Sequence, residues 1–164
     1  MSKHQVQINK DLPNKKIVLT REFDASPAIV WQAYTDRHIL DQWWAPKPWK
    51  AETKSMDFRE GGQWQYAMVG PEGEKHWGKM IYGKIVPETS FVAQDVFCDE
   101  NGTPNPALPG LDWTNEFAAT ANGTKVTGTI LFASEEDLKK LLEMGFEEGI
   151  TIAMNGLDEW LASR

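Results

Sequence analysis

The feature that most constrains the fold is one apolar stripe near the carboxy terminus of the chain. Because apolar side chains that recur every three or four residues lie on one face of an α-helix, the stripe predicts a long final helix from Gly145 to Ala162. Ser134, with Asp137 three positions later, is close to a capping box and marks the start of the helical region. The stripe consists of Leu142, Phe146, Gly149, Ile150, Ala153, Gly156, Leu157, Trp160 and Leu161.

Most of the preceding sequence shows the period-two alternation of β-strands. The first such strand is predicted over residues 15–24. Ser26 and Asp36 are typical helix N-cap residues, and they predict two short helices directly after that strand. Six further strands, separated by turn residues, are predicted at 48–58, 63–69, 75–86, 89–99, 111–121 and 124–133.

This order of elements predicts an α+β fold: a seven-stranded curved antiparallel sheet, two short helices after strand 1 and a long C-terminal helix. We expect residues 15–164 to form a single domain and residues 1–14 to be a polar, mobile lead-in. A large twisted sheet curls, so one helix about 10 Å across touches only part of its concave face. Side chains or a ligand must occupy the space that remains.

The centre of the apolar stripe is unusually small, because it contains Gly149, Ala153 and Gly156. Glycine in a helix interior costs about 1 kcal/mol relative to alanine, so some benefit must offset it. Either the helix approaches the sheet closely at these positions, or the absent side chains leave room for a ligand. The sequence is consistent with both.

Charge and composition exclude several classes of protein. The 164 residues carry a formal net charge of −7 with no basic cluster, which argues against binding to nucleic acid or to an anionic membrane. No apolar run is long enough to span a bilayer or to act as a signal peptide, and the lone Cys98 cannot form an internal disulfide. We therefore expect a cytoplasmic protein with no integral membrane segment.

Four stretches carry a family resemblance: TREFDASPAIVWQAYTD, ILDQWWAPKPW, DFREGGQWQYAMVGPEG and MGFEEGITIAMNGLDEWL. They resemble the bacterial group named after the activator of the ninety-kilodalton heat-shock-protein ATPase. The order of elements looks like the helix-grip fold of the wider START, birch-pollen-allergen or SRPBCC superfamily. This resemblance implies a hydrophobic pocket between the final helix and the sheet. Because the superfamily includes lipid carriers, cyclases and co-chaperones, the resemblance does not select one function.

The chain contains eight tryptophans, and such large, rigid side chains must fill either the core or the wall of a pocket. Alternation along one strand places Trp64, Tyr66 and Met68 on a single face. Each apolar candidate is also consistent with an ordinary core position. The candidate ligand-binding residues are Trp44, Trp64, Tyr66, Met68, Trp77, Met80, Phe97, Trp113, Phe117, Phe146, Gly149, Ile150, Ala153, Met154 and Arg21.

Arg21 is the one charged candidate. It shares the strand parity of Ile17, Leu19 and Phe23, so a regular strand would point its guanidinium into the core. A buried arginine needs an anion, which a ligand or a neighbouring acid could supply. From the sequence we favour the other interpretation, in which a bulge or a strand end turns Arg21 to solvent.

No residues form a recognisable metal-binding or catalytic motif. His38 and His76 have no second histidine or cysteine at metal-ligand spacing, and Cys98 has no histidine nearby in sequence. We predict no metal site, no cofactor and no catalytic residue.

Three functions remain open. The leading hypothesis is non-catalytic binding of a hydrophobic or aromatic small molecule between the final helix and the sheet, with Tyr66, Tyr82 or Arg21 fixing its orientation. The second is a co-chaperone-like module that binds a protein partner, and the third is a cyclase-like enzyme acting on an apolar substrate in the same cavity. A homodimer formed through exposed tryptophans or an edge strand is also consistent with the sequence.

Overall fold

A computed structural model describes residues 4–164 and shows one antiparallel sheet with four helices. The strands are β1 (Gln7–Asp11), β2 (Lys16–Phe23), β3 (Lys50–Met56), β4 (Gln63–Val69), β5 (Lys75–Val86), β6 (Ser90–Cys98), β7 (Leu111–Ala119) and β8 (Thr124–Leu131). The helices are α1 (Pro27–Thr35), α2 (Arg37–Trp43), α3 (Glu135–Glu143) and α4 (Phe146–Ser163). The strands lie in the order β1-β2-β8-β7-β6-β5-β4-β3, so the chain returns to β2 after a meander from β3 to β8.

The α+β class, the curved antiparallel sheet and the C-terminal helix are confirmed, but the predicted number of strands is wrong. The sheet has eight strands rather than seven, and the two short helices follow the second strand rather than the first. The additional strand, β1, lies within the expected lead-in and pairs with β2, with Ile8 opposite Leu19. As an edge strand with mostly exposed side chains, β1 lacks the apolar alternation of a covered strand. Residues 1–3 of the expected lead-in lie outside the described residues.

Side-chain caps begin both short helices as the sequence indicates. The Ser26 hydroxyl accepts a hydrogen bond from the Ile29 amide, and Pro27 occupies the first helical position. The Asp36 carboxylate accepts from the amides of His38 and Ile39 and so begins α2. These caps fix where the chain turns, and they direct α1 against β7 and α2 against β3 and α4.

The final helical region is divided into two helices. Ser134 caps α3, accepting a hydrogen bond of 3.1 Å from the Asp137 amide. At Gly145 the backbone has a φ of 86°, a left-handed conformation that glycine adopts without steric cost, and α4 begins at the next residue. Within residues 4–164, no helix is both long and apolar enough to cross a membrane.

The two glycines of the α4 stripe lie beside different neighbours. A Cβ atom on Gly156 would lie 3.9 Å from the backbone and side chain of Trp43, an ordinary packing distance that places this part of α4 against α2. Trp43 is 2% exposed and donates its indole N–H to the Ala33 carbonyl at 3.0 Å, which joins α2 to α1. A Cβ on Gly149, nearer the start of α4, would lie 3.7 Å from the Pro46 ring.

Arg21 is buried, contrary to the expectation that it turns to solvent. Strand β2 pairs with β8 in continuous register from Lys16 to Phe23, so no bulge interrupts it and the guanidinium points inward at 1% exposure. Arg21 Nη1 donates to Asn155 Oδ1 at 2.7 Å, and Nη2 lies 3.7 Å from Asp158 Oδ2. The buried arginine therefore links the sheet to α4 through helix side chains.

Asp158→Ala should destabilise the protein more than Arg21→Met. The first substitution removes the acidic partner of a buried cation and should cost about 1–3 kcal/mol, whereas the second replaces the cation with an apolar chain of similar length. Urea unfolding at neutral pH measures both. Glu159→Ala is the matched control, since Glu159 pairs with Lys47 at the exposed surface, and it should change the free energy of unfolding by less than about 1 kcal/mol. Equal losses in the Asp158 and Glu159 variants would contradict a structural role for the Arg21 contact.

Candidate functional site

A cavity of about 250 Å³, partly open to solvent, lies between the concave face of the sheet and the start of α4. Strands β4, β5, β6 and β7 form its floor, the α3–α4 junction and α4 form its roof, and the segment after α2 forms one side. Its lining residues are Trp44, Pro46, Tyr66, Met68, His76, Trp77, Gly78, Asp95, Val96, Phe97, Leu111, Trp113, Leu141, Met144, Gly145, Phe146, Gly149, Ile150 and Ala153.

Ten of the fifteen candidate residues border this cavity. They are Trp44, Tyr66, Met68, Trp77, Phe97, Trp113, Phe146, Gly149, Ile150 and Ala153. The other five do not border it: Arg21, Trp64, Met80, Phe117 and Met154.

The candidates that do not border the cavity contribute to the packed core. Phe117 lies in an aromatic cluster with Trp31 of α1, at 5.2 Å between ring centroids. Trp64 stacks on Tyr66 at 4.2 Å and donates its indole N–H to the Thr53 hydroxyl at 3.0 Å. The helices α1 and α2 pack over this part of the concave face, so the aromatic side chains beneath them belong to the core.

Trp77 borders the cavity, but its ring contacts lysines rather than the apolar wall. On β5 the register places His76 opposite Met68 and Gly78 opposite Tyr66, and Trp77 alternates with these cavity positions. Its ring centroid lies 5.8 Å from Lys54 Nζ and 5.9 Å from Lys75 Nζ. The sequence alone does not show which residues of β5 face the cavity, whereas the pairing of β5 with β4 does.

Three neighbouring strands build a polar contact within the cavity wall. Tyr66 on β4 lies beside Gly78 on β5, and its hydroxyl donates to Asp95 Oδ1 on β6 at 3.4 Å. A Cβ on Gly78 would lie 3.1 Å from Tyr66 Oη and 3.2 Å from Cζ, which is tighter than ordinary packing. The absence of a side chain at Gly78 thus lets the tyrosine ring cross β5 and reach Asp95.

Asp95 is an acid in apolar surroundings. Burial raises the pKa of its carboxyl to about 7, and the hydrogen bond from Tyr66 partly opposes this rise. Among residues 4–164, no lysine, arginine or histidine nitrogen lies within salt-bridge distance of Asp95. Burial and the Asp95 charge also raise the pKa of Tyr66 and of Tyr82. Asp95 therefore changes its protonation state near neutral pH.

Two buried indole N–H groups near the cavity have no hydrogen-bond acceptor among the described residues. They belong to Trp44 and Trp113. The indole N–H of Trp44 lies close enough to the Tyr66 hydroxyl to oppose the rise in the pKa of Tyr66. The two groups nevertheless do not form a hydrogen bond. Trp113 Nε1 would lie 2.9 Å from a Cβ on Gly128, so its N–H is directed along the sheet toward β8.

Sequence reasoning missed nine lining residues. They are Pro46, His76, Gly78, Asp95, Val96, Leu111, Leu141, Met144 and Gly145. Asp95 had a usable signal, because it shares strand parity with Phe91, Ala93 and Phe97, and an acid in an otherwise apolar strand face is unusual. Within the described part of the chain, no group of three or more His, Cys, Asp or Glu side chains could hold a metal ion. The absence of a metal or cofactor stays a prediction.

The curved antiparallel sheet, the C-terminal helix lying across it and the cavity between them define a helix-grip protein of the START or SRPBCC class. Within this class, the chain belongs to the family described as "Activator of Hsp90 ATPase homolog 1-like protein", whose sequence profile matches residues 24–162.

Solved structures from bacteria resemble the chain over nearly its whole length. The crystal structure of protein Ms6760 from Mycobacterium smegmatis is 34% identical, with a TM-score of 0.88, and the alignment covers 95% of this chain and 96% of that one. A solution NMR structure of a protein from Arthrobacter aurescens is 32% identical, with a TM-score of 0.91 and coverage of 96% and 92%. The AHSA1 protein from Silicibacter pomeroyi shares the fold at 19% identity and a TM-score of 0.71, with coverage of 90% and 97%. In a comparison with curated protein sequences, nothing matches this chain.

Gly78→Ala should displace the Tyr66 hydroxyl and raise the pKa of Asp95 above about 7, because the new methyl group occupies the space of the tyrosine ring and the hydrogen bond to Asp95 is lost. Overpacking should also cost about 1 kcal/mol or more of folding free energy. A carbon-13 NMR titration of the Asp95 carboxyl measures the pKa.

Gly83→Ala, on the same strand, is the control for this substitution. A Cβ there would lie 3.6 Å from Val92, an ordinary contact, so the pKa of Asp95 should stay unchanged and strand stability should rise by about 0.5–1 kcal/mol. A similar pKa shift in both variants would contradict the role assigned to Gly78.

Asp95→Asn should stabilise the empty protein increasingly as pH rises. The pKa of the Asp95 carboxyl is 3.8 in the unfolded chain and about 7 in the folded protein. Between these pH values the folded state holds a proton that the unfolded state releases, so the stability of the wild-type protein falls as the pH rises. Asparagine does not titrate. Its advantage should grow from about pH 4 to pH 7 and level off above pH 7, at about 1–4 kcal/mol. Urea unfolding across this range measures the difference, and an advantage independent of pH would contradict the burial of Asp95.

Proposed function

We propose that the protein binds a hydrophobic or aromatic small molecule, without catalysing a reaction, in the cavity between α4 and the sheet. The observation that carries the proposal is the cavity itself: about 250 Å³ bounded almost entirely by apolar side chains and reachable from solvent. Pockets that hold small molecules typically combine such a wall with a few polar groups that orient the ligand. Tyr66 and Asp95 supply these polar groups.

Aromatic rings form a continuous part of the wall. Trp44 contacts Trp113 at 5.8 Å between ring centroids and Tyr66 at 6.4 Å, and Trp113 contacts Phe146 of α4 at 6.3 Å. Rings held by such contacts present rigid apolar faces to a bound molecule. At about 25 cal/mol per Å², a ligand that buries about 200 Å² of apolar surface gains about 5 kcal/mol before the costs of association.

Small residues on α4 leave space in the cavity beneath the helix. Gly149 and Ala153 both line it, and Pro46 approaches the position of a Gly149 Cβ at 3.7 Å. Because both positions line the cavity, a longer side chain at either one would take up part of its volume. Of the two alternatives that the sequence left open, retained space is the one that this proposal adopts for Gly149 and Ala153, because both line the cavity, whereas Gly156 packs beside Trp43 and does not line it.

Ala153→Leu and Gly149→Leu should each weaken binding of an apolar probe by about tenfold or more, because the added atoms occupy ligand volume. Fluorescence titration with the uncharged dye N-phenyl-1-naphthylamine measures the affinity. Ala162→Leu is the control, since Ala162 is exposed near the end of α4 and does not line the cavity. Unchanged affinity in both cavity variants, or no binding by the wild-type protein, would contradict the proposal.

Native mass spectrometry and organic extraction of freshly purified protein give an independent test. We expect an adduct of small-molecule mass that is released on denaturation and is less abundant in Ala153→Leu. Protein that carries no adduct and binds no dye would remove ligand binding as the function.

The family match favours a second candidate, a module that binds a chaperone of the Hsp90 class. The family description names an activator of the Hsp90 ATPase, and the net charge of −7 suits a basic partner surface. Stimulation of the chaperone ATPase by the purified protein, with loss of the effect at high salt, would support this candidate. No stimulation at high protein concentration would exclude it.

A further inference from the structure

The proposed function leaves open which chemical class of ligand the cavity takes, and the position of Asp95 bears on this question. Asp95 is one of the cavity-lining residues, and Tyr66 is the only side chain among residues 4–164 that is shown to donate a hydrogen bond to its carboxyl group. A carboxylate in apolar surroundings is costly unless a cation or several donors compensate it. The protein itself supplies one long hydrogen bond of 3.4 Å.

The elements around Asp95 contribute few other titratable groups. Tyr66 reaches it from β4, and Tyr82 on β5 and Cys98 on β6 lie close enough for the Asp95 charge to raise their pKa values. His76 on β5 borders the same cavity, with its ring 5.3 Å from that of Trp49. The cavity-lining residues of β7, α3, α4 and the α3–α4 junction are all uncharged. Apart from His76, no basic side chain among the described residues lines the cavity.

The aromatic wall of the cavity is suited to a ligand that carries a positive charge. The faces of tryptophan, tyrosine and phenylalanine attract cations, and the attraction strengthens when water is excluded. Trp44, Tyr66 and Trp113 present such rings beside the single carboxyl group. An overall charge of −7 further raises the local concentration of small cations.

We propose that the cavity binds an organic cation, a molecule with an aromatic or apolar body and one protonated amine, whose ammonium group donates hydrogen bonds to the Asp95 carboxylate. This inference rests on the proposed function and specifies its ligand class. A neutral ligand that offers only a hydrogen-bond acceptor would instead require the protonated form of Asp95. The affinity for a cationic ligand should therefore rise with pH, and the affinity for such a neutral ligand should fall.

Isothermal titration with three probes that share one ring system tests the inference. Tryptamine carries the cation, indole-3-ethanol is its uncharged counterpart, and indole-3-acetate carries the opposite charge. At pH 8 we expect tryptamine to bind at least tenfold more tightly than indole-3-ethanol, and indole-3-acetate most weakly. Lowering the pH to 6 should weaken tryptamine binding about tenfold, because only the ionised fraction of Asp95 is competent.

Asp95→Asn tests the cavity carboxyl, and Asp112→Asn is the matched control, because Asp112 is an exposed acid on β7 that does not line the cavity. The Asp95→Asn variant should bind tryptamine and indole-3-ethanol with similar affinity, and its tryptamine affinity should no longer change between pH 6 and 8. Asp112→Asn should keep the preference and the pH dependence of the wild-type protein. The wild-type pH profile provides the same test without any substitution.

Each alternative outcome has a defined meaning. Indole-3-ethanol binding as tightly as tryptamine, or tighter at pH 6, overturns the cationic ligand while leaving the cavity as a binding site. Binding of N-phenyl-1-naphthylamine without binding of any indole probe does the same. Failure of the dye and of all three probes overturns the proposed function as well.

Discussion

The concave face of the sheet is wider than the helix that packs across it, and this mismatch determines how the rest of the molecule is arranged. At one end, α1 and α2 cover the face, and aromatic rings such as Trp31 and Phe117 fill the space beneath them. At the other end, the α3–α4 junction and α4 roof the cavity over β4 to β7, and α4 begins immediately after the left-handed Gly145. The open volume is therefore a consequence of the topology, and its apolar lining is the inner face of an ordinary sheet.

One polar contact within this lining gives the cavity its chemical character. Gly78 has no side chain, Tyr66 crosses the space that this leaves, and its hydroxyl reaches Asp95 two strands away. Burial of the Asp95 carboxyl destabilises the empty protein at neutral and higher pH, because the raised pKa means that ionisation is less favourable in the folded state than in the unfolded chain. The hydrogen bond from Tyr66 only partly offsets this cost. Arg21 differs from Asp95, because its buried charge has partners within the fold, namely Asn155 and Asp158 of α4. A partly buried acid with a raised pKa and no cationic partner among the described residues is a common feature of functional sites.

The sequence predicted the elements whose signals are local, and it failed where pairing between strands decides the result. The caps at Ser26, Asp36 and Ser134 and the α4 stripe depend on neighbouring residues, so they were predictable. Strand β1 was missed because a polar edge strand has no apolar period. Asp95 was missed because its shared parity with Phe91, Ala93 and Phe97 indicates a common face, but does not show that this face borders a cavity, which depends on pairing with β5. The burial of Arg21 depends on an unbroken β2–β8 register, which the sequence of β2 alone does not specify.

The central claim is that an apolar volume between α4 and strands β4 to β7 remains unfilled by the protein's own side chains. A crystal structure of the wild-type protein under xenon pressure tests it most directly, because xenon enters apolar cavities without needing a specific polar partner. We expect xenon density within the cavity, between Tyr66 and Phe97 of the sheet and Ala153 of α4. A structure in which the side chains of the sheet and of α4 fill this volume, with no xenon between them, would contradict the existence of the cavity.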